Sequence, residues 1–122
     1  MNEIIIALGT NFDEDKNITR MKSSLKDSFP NICFTDAIRT HNVGSSIYGD
    51  HFTNALAKFR SALSLEQITD VLKQKEKECG DSRELRLQGI VKADIDLLSY
   101  AGHKHHVADW EREYIKQLIT TL

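Results

Sequence analysis

Asp94 and Asp96 stand two residues apart in Lys92-Ala93-Asp94-Ile95-Asp96-Leu97-Leu98. Alternate side chains of a strand share a face, so the two carboxylates project together from Cα atoms about 6–7 Å apart. Hard oxygen donors at that spacing suit one or two divalent cations, Mg²⁺ above all. A cation also offsets charge that an apolar strand otherwise carries at a cost. Ile95 and Leu97 point the other way and can anchor the strand in a core. The same spacing also describes an exposed polar strand face, where Asp is disfavoured but tolerated. Metal chemistry and plain solvation are both open on these residues alone.

Phe52 and Asn54 repeat the alternate-residue geometry in Phe52-Thr53-Asn54-Ala55. Phe52 offers an aromatic surface, and Asn54 offers both donor and acceptor to a heterocyclic edge. Phenylalanine is by habit a core residue, whereas asparagine in mid-strand demands a partner. Glu76 lies among Lys73, Gln74, Lys75, Lys77 and Glu78, a pattern of i,i+3/i+4 charge pairs that also describes a solvated helix face. Arg83, Arg86 and Lys92 form a basic segment able to cover a polyphosphate through charge-assisted bonds, although surface cations are common. His103-Lys104-His105-His106 has poor spacing for a closed zinc site and no accompanying thiol pair, so it reads as a solvated turn. The chain has no glycine-rich Walker loop and no G-x-S-x-G nucleophile elbow.

Composition narrows the class of function. A formal net charge of −2 gives no general pull towards nucleic acid or anionic membrane, so phosphate binding has to come from a local basic patch. With 122 residues, 40% hydrophobic and 28% charged, the expectation is one globular domain over 1–122. Cys33 and Cys79 have neither a CxxC spacing nor the density of a secreted scaffold. Met1-Asn2-Glu3 runs directly into Ile4-Ile5-Ile6, which is only strand length, and no apolar run approaches 18 residues. The expectation is a cytoplasmic chain with reduced thiols.

The elements that must position these residues follow in order. Ile4-Ile5-Ile6-Ala7-Leu8 predicts a strand buried on both faces, ended by a turn at Gly9-Thr10-Asn11. Ile18, Met21, Leu25 and Phe29 recur every three or four residues, which predicts a helix closed by Pro30. Residues 32–39 read as a second strand with Ile32, Phe34 and Ile38 on one face. His41 to Asp50 is loop-like, with two glycines and two serines. Phe52–Phe59 reads as a third strand, with Phe52, Asn54, Leu56 and Lys58 on one side and Ala55, Ala57 and Phe59 on the other. Ser64 and Gln67 form a capping-box sequence that opens a helix through Ile68, Val71 and Leu72, stopped near Gly80. A polar loop over 81–91, the acidic strand over 92–98 and a last helix carrying Trp110, Tyr114, Leu118 and Leu122 complete the order. This β-α-β-β-α-β-α order predicts an α+β, ferredoxin-like fold, an antiparallel sheet with helices on one face and a ligand on the other.

Ala7-Leu8-Gly9-Thr10-Asn11, Arg39-Thr40 before a glycine-containing loop, Phe52-Thr53-Asn54-Ala55 and Asp94-Ile95-Asp96-Leu97-Leu98 occur in one order. In this the chain resembles the hydroxymethyldihydropterin pyrophosphokinases through nearly its whole length, and Asn17-Ile18 falls where that family opens its first helix. The resemblance implies transfer of diphosphate from ATP to the hydroxymethyl group of a reduced pterin, in folate biosynthesis. It implies two Mg²⁺ ions on Asp94 and Asp96, Asn54 on the pterin edge, Phe52 on a pterin face and Tyr114 as the second aromatic. Backbone near Thr40 and Val43 would line the pterin pocket. Glu76, Lys92, Arg112 and His106 would lie by the nucleotide, and Arg83 would be the catalytic-loop arginine. Expected partners are ATP and a reduced pterin, with no nucleic acid and no membrane, in a monomer or weak dimer.

The departures bear on activity. Where the family loop reads R-W-G-P-R-T-(L/I)-D, this chain has Leu87-Gln88-Gly89-Ile90-Val91-Lys92-Ala93-Asp94. Only Gly89 keeps its place, and Lys92 supplies a point charge in place of a bidentate fork. His41-Asn42 stands where prolines are typical, and the C-terminal part is abbreviated. A slowed pyrophosphokinase, a binding module without turnover and a ligand-free dimerising domain are the three readings these departures allow.

Overall fold

A computed structural model describes residues 1–41 and 51–122. Its centre is β1 (Asn2–Thr10), which pairs antiparallel with β4 (His51–Ser61) on one side and β5 (Asp94–Tyr100) on the other. β2 (Cys33–Phe34) and β3 (Ile38–His41) both pair with the far edge of β4, and β6 (His103–Lys104) pairs with β5. The sheet order β2-β4-β1-β5-β6 is the α+β, ferredoxin-like arrangement expected from the element order.

Burial follows the alternation of the strands. Ile4, Ile6 and Leu8 of β1 and Ala55, Ala57 and Phe59 of β4 face α1 (Glu14–Ser28) and α2 (Leu65–Glu78). There they pack on Ile18, Met21, Leu25, Ile68 and Leu72, and Phe59 stacks on Phe29 with ring centroids 4.0 Å apart. Each such side chain stabilises the fold by about 1.5–3 kcal/mol when fully buried. The α2 capping box forms as expected: Gln67 N donates to Ser64 Oγ, and Ser64 N donates to Gln67 Oε1.

The opposite sheet face is only partly open. α4 (Glu113–Ile119) lays Ile115 and Leu118 on Ala7, Leu56 and Leu98, covering one half and leaving the half around Gly9 uncovered. Leu98 keeps the face of Asp94 and Asp96 and lies in that second core. The β-bulge between the Ile5 and Ile6 pairings shifts the register beyond it, so that Tyr100 packs on the first core. The Leu98 carbonyl faces the C-terminal segment. That oxygen accepts from His105 N at 2.9 Å and Trp110 Nε1 at 3.1 Å, which ties the C-terminal segment to β5.

Five expectations are corrected. The second strand is two pieces, because residues 35–37 lie opposite only Ala55 and Leu56 of β4, and this one-residue slip changes faces. Ile32 and Phe34 therefore join the core under α1, while Ile38 joins the core under α4. Gly9 and Thr10 belong to β1, where they continue the pairing with Asn54 and Thr53. The polar stretch after α2 contains a five-residue helix, α3 (Arg83–Leu87), started by Ser82 Oγ accepting from Leu85 N. Before α4 the chain forms a 3₁₀ turn (Val107–Glu111), because the extended backbone of Arg112 interrupts any continuous helix; Trp110 and Tyr114 still reach the same core as Leu118. The histidine-rich stretch contributes β6 after a tight turn in which Ala101 and Gly102 both take positive φ. The expected loop over 42–50, with Val43, lies outside the described residues.

Candidate active site

The central strand aligns the site. Gly9 on β1 is paired with Asn54 on β4 and with Asp94 on β5, and the neighbouring Ala7 is paired with Asp96. A Cβ at Gly9 would stand 3.2 Å from Asn54 Oδ1 and 3.7 Å from the Phe52 ring. Glycine here keeps the floor low enough for the amide of Asn54 to lie across it. Asn54 is buried, and its Nδ2 donates to Thr40 Oγ1 at 2.7 Å, which fixes the side chain.

Two clefts meet at the acidic pair. The smaller, about 230 Å³, is lined by Gly9, Thr40, Phe52, Asn54, Arg112 and Tyr114, with Asp94 and Asp96 on its rim. The larger, about 550 Å³, opens between α2 and β5 and is lined by Thr69, Lys73, Glu76, Lys77, Arg86 and His106, again with Asp94 and Asp96. The geometry thus offers two compartments with a pair of carboxylates at the border. Two aromatic rings, an amide and Arg112 line one compartment; Lys73, Lys77 and Arg86, with Glu76 among them, line the other.

Of the basic residues flagged between α2 and β5, Arg86 alone lines either cleft. Its Nε donates to Asp81 Oδ1 at 2.7 Å, and its Nη2 donates to Asp94 Oδ1 at 3.2 Å and to the Ala93 carbonyl at 3.1 Å. Glu76 Oε2 lies 3.7 Å away. Arg83 is exposed and lines neither cleft. Lys92 is carried away from the acidic pair: its ammonium lies 5.7 Å from the centre of the Phe12 ring, beside Gly80. The reason is local. The Gly89 and Val91 carbonyls accept from Asn11, Val91 N donates back to Asn11 Oδ1, and Thr10 Oγ1 donates to the Val91 carbonyl. This pins residues 89–91 to the end of β1. Arg112 enters the smaller cleft, where its Nε pairs with Asp109 Oδ1 at 3.2 Å.

The electrostatics mark the same place. Burial, followed by the adjacent Asp94 charge, pushes the Asp96 carboxyl up to about 7. Burial also pushes Glu76 up to about 7, against the hydrogen bond it accepts from Ile95 N at 2.7 Å, and the Asp94 charge adds to the rise. Burial works against the Arg86 charge, but the bond to Asp81 and the Asp94 charge outweigh it and raise its pKa. Tyr114 is raised by burial. A half-buried carboxylate such as Asp96, whose charge is opposed by burial and by the Asp94 charge beside it, is a natural seat for a divalent cation. Among the described residues no three His, Cys, Asp or Glu side chains converge, so a cation here takes its other ligands from water or substrate. That is how Mg²⁺ is commonly held beside phosphates, and the donor set fits it.

The structure therefore brings together Asp94, Asp96, Phe52, Asn54, Thr40, Tyr114, Arg112, Glu76 and His106, and leaves Arg83 and Lys92 outside. Sequence reasoning placed Arg86 only in a diffuse basic segment and read Lys73 and Lys77 as a solvated face. Helical spacing carried a signal for the latter, since Leu65, Thr69, Leu72, Lys73 and Glu76 form one stripe that the larger cleft follows.

Among curated proteins no match to the chain was found. A protein-family model described as 7,8-dihydro-6-hydroxymethylpterin-pyrophosphokinase matches residues 5–122, nearly the whole chain.

Proposed function

The chain belongs to the 7,8-dihydro-6-hydroxymethylpterin-pyrophosphokinase family, and from that premise we propose that it transfers diphosphate from ATP to the hydroxymethyl group of a reduced pterin. The observation that carries the reading is that Asp94 and Asp96 border both clefts at once. A reaction between two bound substrates needs its charge-stabilising groups at their meeting point. The pterin occupies the smaller cleft, with its edge on Asn54 and its faces against Phe52 and Tyr114. ATP occupies the larger cleft, with Lys73, Lys77 and His106 along its polyphosphate and Glu76 deeper between α2 and β5.

Asp94 and Asp96 would hold Mg²⁺, which when bound would supply shielding of the polyphosphate charge. Thr40 holds the Asn54 amide in one orientation, so the pterin hydroxymethyl group meets the acidic pair in a fixed pose. The missing arginines before Asp94 bear on rate, because residues 89–91 are tied to β1 and Lys92 is turned to Phe12. Fewer charge-assisted bonds then reach the transferring group, and turnover is slower than a site with a full arginine clamp supports. Incubation with ATP, Mg²⁺ and 6-hydroxymethyl-7,8-dihydropterin, followed by mass spectrometry, tests the reading. A pterin diphosphate is expected; recovery of unmodified pterin with bound ATP contradicts it in favour of a binding module.

A further inference from the structure

We propose that Arg86 is a polyphosphate-binding residue of this chain, held on Asp94 until that carboxylate is committed to a divalent cation. The inference rests on the nucleotide reading of the larger cleft and goes beyond it by naming a residue and a coupling. Arg86 is bound at two ends of its fork. Nε is fixed on Asp81 at 2.7 Å, and Nη2 reaches past the Ala93 carbonyl to Asp94 at 3.2 Å. The Asp81 bond alone would secure the side chain to its own segment. The second reach places a planar cation on the rim of the larger cleft, against one of the two carboxylates best suited to hold a metal.

Asp94 cannot serve both partners at full strength, since a guanidinium and a divalent cation on one carboxylate repel each other. Once Asp94 is committed to a cation, the guanidinium loses that partner. Still anchored on Asp81, it then turns its Nη2 towards the polyphosphate, the bidentate oxyanion partner to which arginine is matched. The carboxylates Asp81, Glu76 and Asp94 outnumber the single Arg86 fork that joins them. Metal and nucleotide are therefore coupled through one side chain: it competes with the metal and assists the nucleotide.

Calorimetric titration of wild type, Arg86→Ala and Arg86→Lys, first with Mg²⁺ alone and then with α,β-methylene-ATP at saturating Mg²⁺, tests this. Removing the competing charge is expected to tighten Mg²⁺ binding about fivefold in Arg86→Ala, and to weaken the analogue about tenfold. Arg86→Lys keeps Mg²⁺ affinity near wild type but weakens the analogue about threefold, because an ammonium lacks the fork. Unchanged analogue affinity in Arg86→Ala overturns the proposal. So does a parallel loss of both affinities, which marks Arg86 as a prop for the loop. If Arg86→Ala does not fold by circular dichroism, Arg86→Lys decides: analogue binding at wild-type strength overturns the proposal. Incubation of the wild type with ATP itself, Mg²⁺ and 6-hydroxymethyl-7,8-dihydropterin separates the two readings. Opposite shifts in Arg86→Ala without pterin diphosphate formation uphold Arg86 and reject the pyrophosphokinase reading, whereas product formation with unshifted affinities does the reverse.

Discussion

Asp96 carries the sharpest conflict of any side chain in the site. Folded, its carboxyl keeps a proton up to about pH 7, whereas an unfolded aspartate releases it near its usual 3.8. Between those values the unfolded chain binds fewer protons, so metal-free stability falls as pH rises from about 4 to about 7. Asp96→Asn removes the ionisable group. It is expected to raise the metal-free melting temperature, with a gain at pH 8 exceeding that at pH 5 by roughly 3 °C. An equal gain at both pH values contradicts the assignment. The same variant is expected to lose Mg²⁺-dependent binding of an ATP analogue. Asn54 bears on the other cleft. Asn54→Ala removes the amide that Thr40 orients, and calorimetry is expected to show about tenfold weaker pterin binding with nucleotide affinity unchanged within about twofold. Weakening of both ligands alike would mean that Asn54 supports the sheet instead of contacting the pterin.

At the scale of elements, the junction between β2 and β3 shows how the site wall is built. Leu56 N donates to Thr35 Oγ1 at 2.9 Å, so a side-chain oxygen stands in where the strand slips. Thr35→Val leaves that buried donor without this acceptor and is expected to lower stability by about 1–3 kcal/mol in urea unfolding. A loss below about 0.5 kcal/mol contradicts the role. The hydroxyl that holds this junction is also why the sequence read as one unbroken strand: Thr35 fits strand propensity, and nothing in the residue types marks the slip. The long periodic elements were legible, since Ile18, Met21 and Leu25 recur at helical spacing and all are buried. The acidic pair, Phe52 and Asn54 were legible because alternation on β4 and β5 survives tertiary contacts. α3 was not, because five residues carry too little periodicity and its start depends on one serine cap. With α3 unseen, Arg86 had no direction, and the residue that reaches Asp94 could not be told from Arg83.

For the molecule as a whole, β5 joins two clefts whose shared border is Asp94 and Asp96, β1 lines the smaller of them, and the two cores on either sheet face hold that border in place. No helix among the described residues is long and apolar enough to cross a membrane. Ligands that bind only this folded arrangement must stabilise it by mass action. An ATP analogue with Mg²⁺ at about a hundred times its dissociation constant adds about 2.7 kcal/mol, a rise in melting temperature of roughly 8–12 °C. The same analogue without Mg²⁺ should add far less if the acidic pair works through a cation. Equal shifts with and without Mg²⁺ would remove that role. The central claim is the transfer of diphosphate between the clefts, and AMP release reads it most directly. With ATP, Mg²⁺ and 6-hydroxymethyl-7,8-dihydropterin, the account predicts slow AMP accumulation that requires the pterin and disappears in Asp96→Ala. ADP in place of AMP, or AMP formed equally by Asp96→Ala, would contradict it.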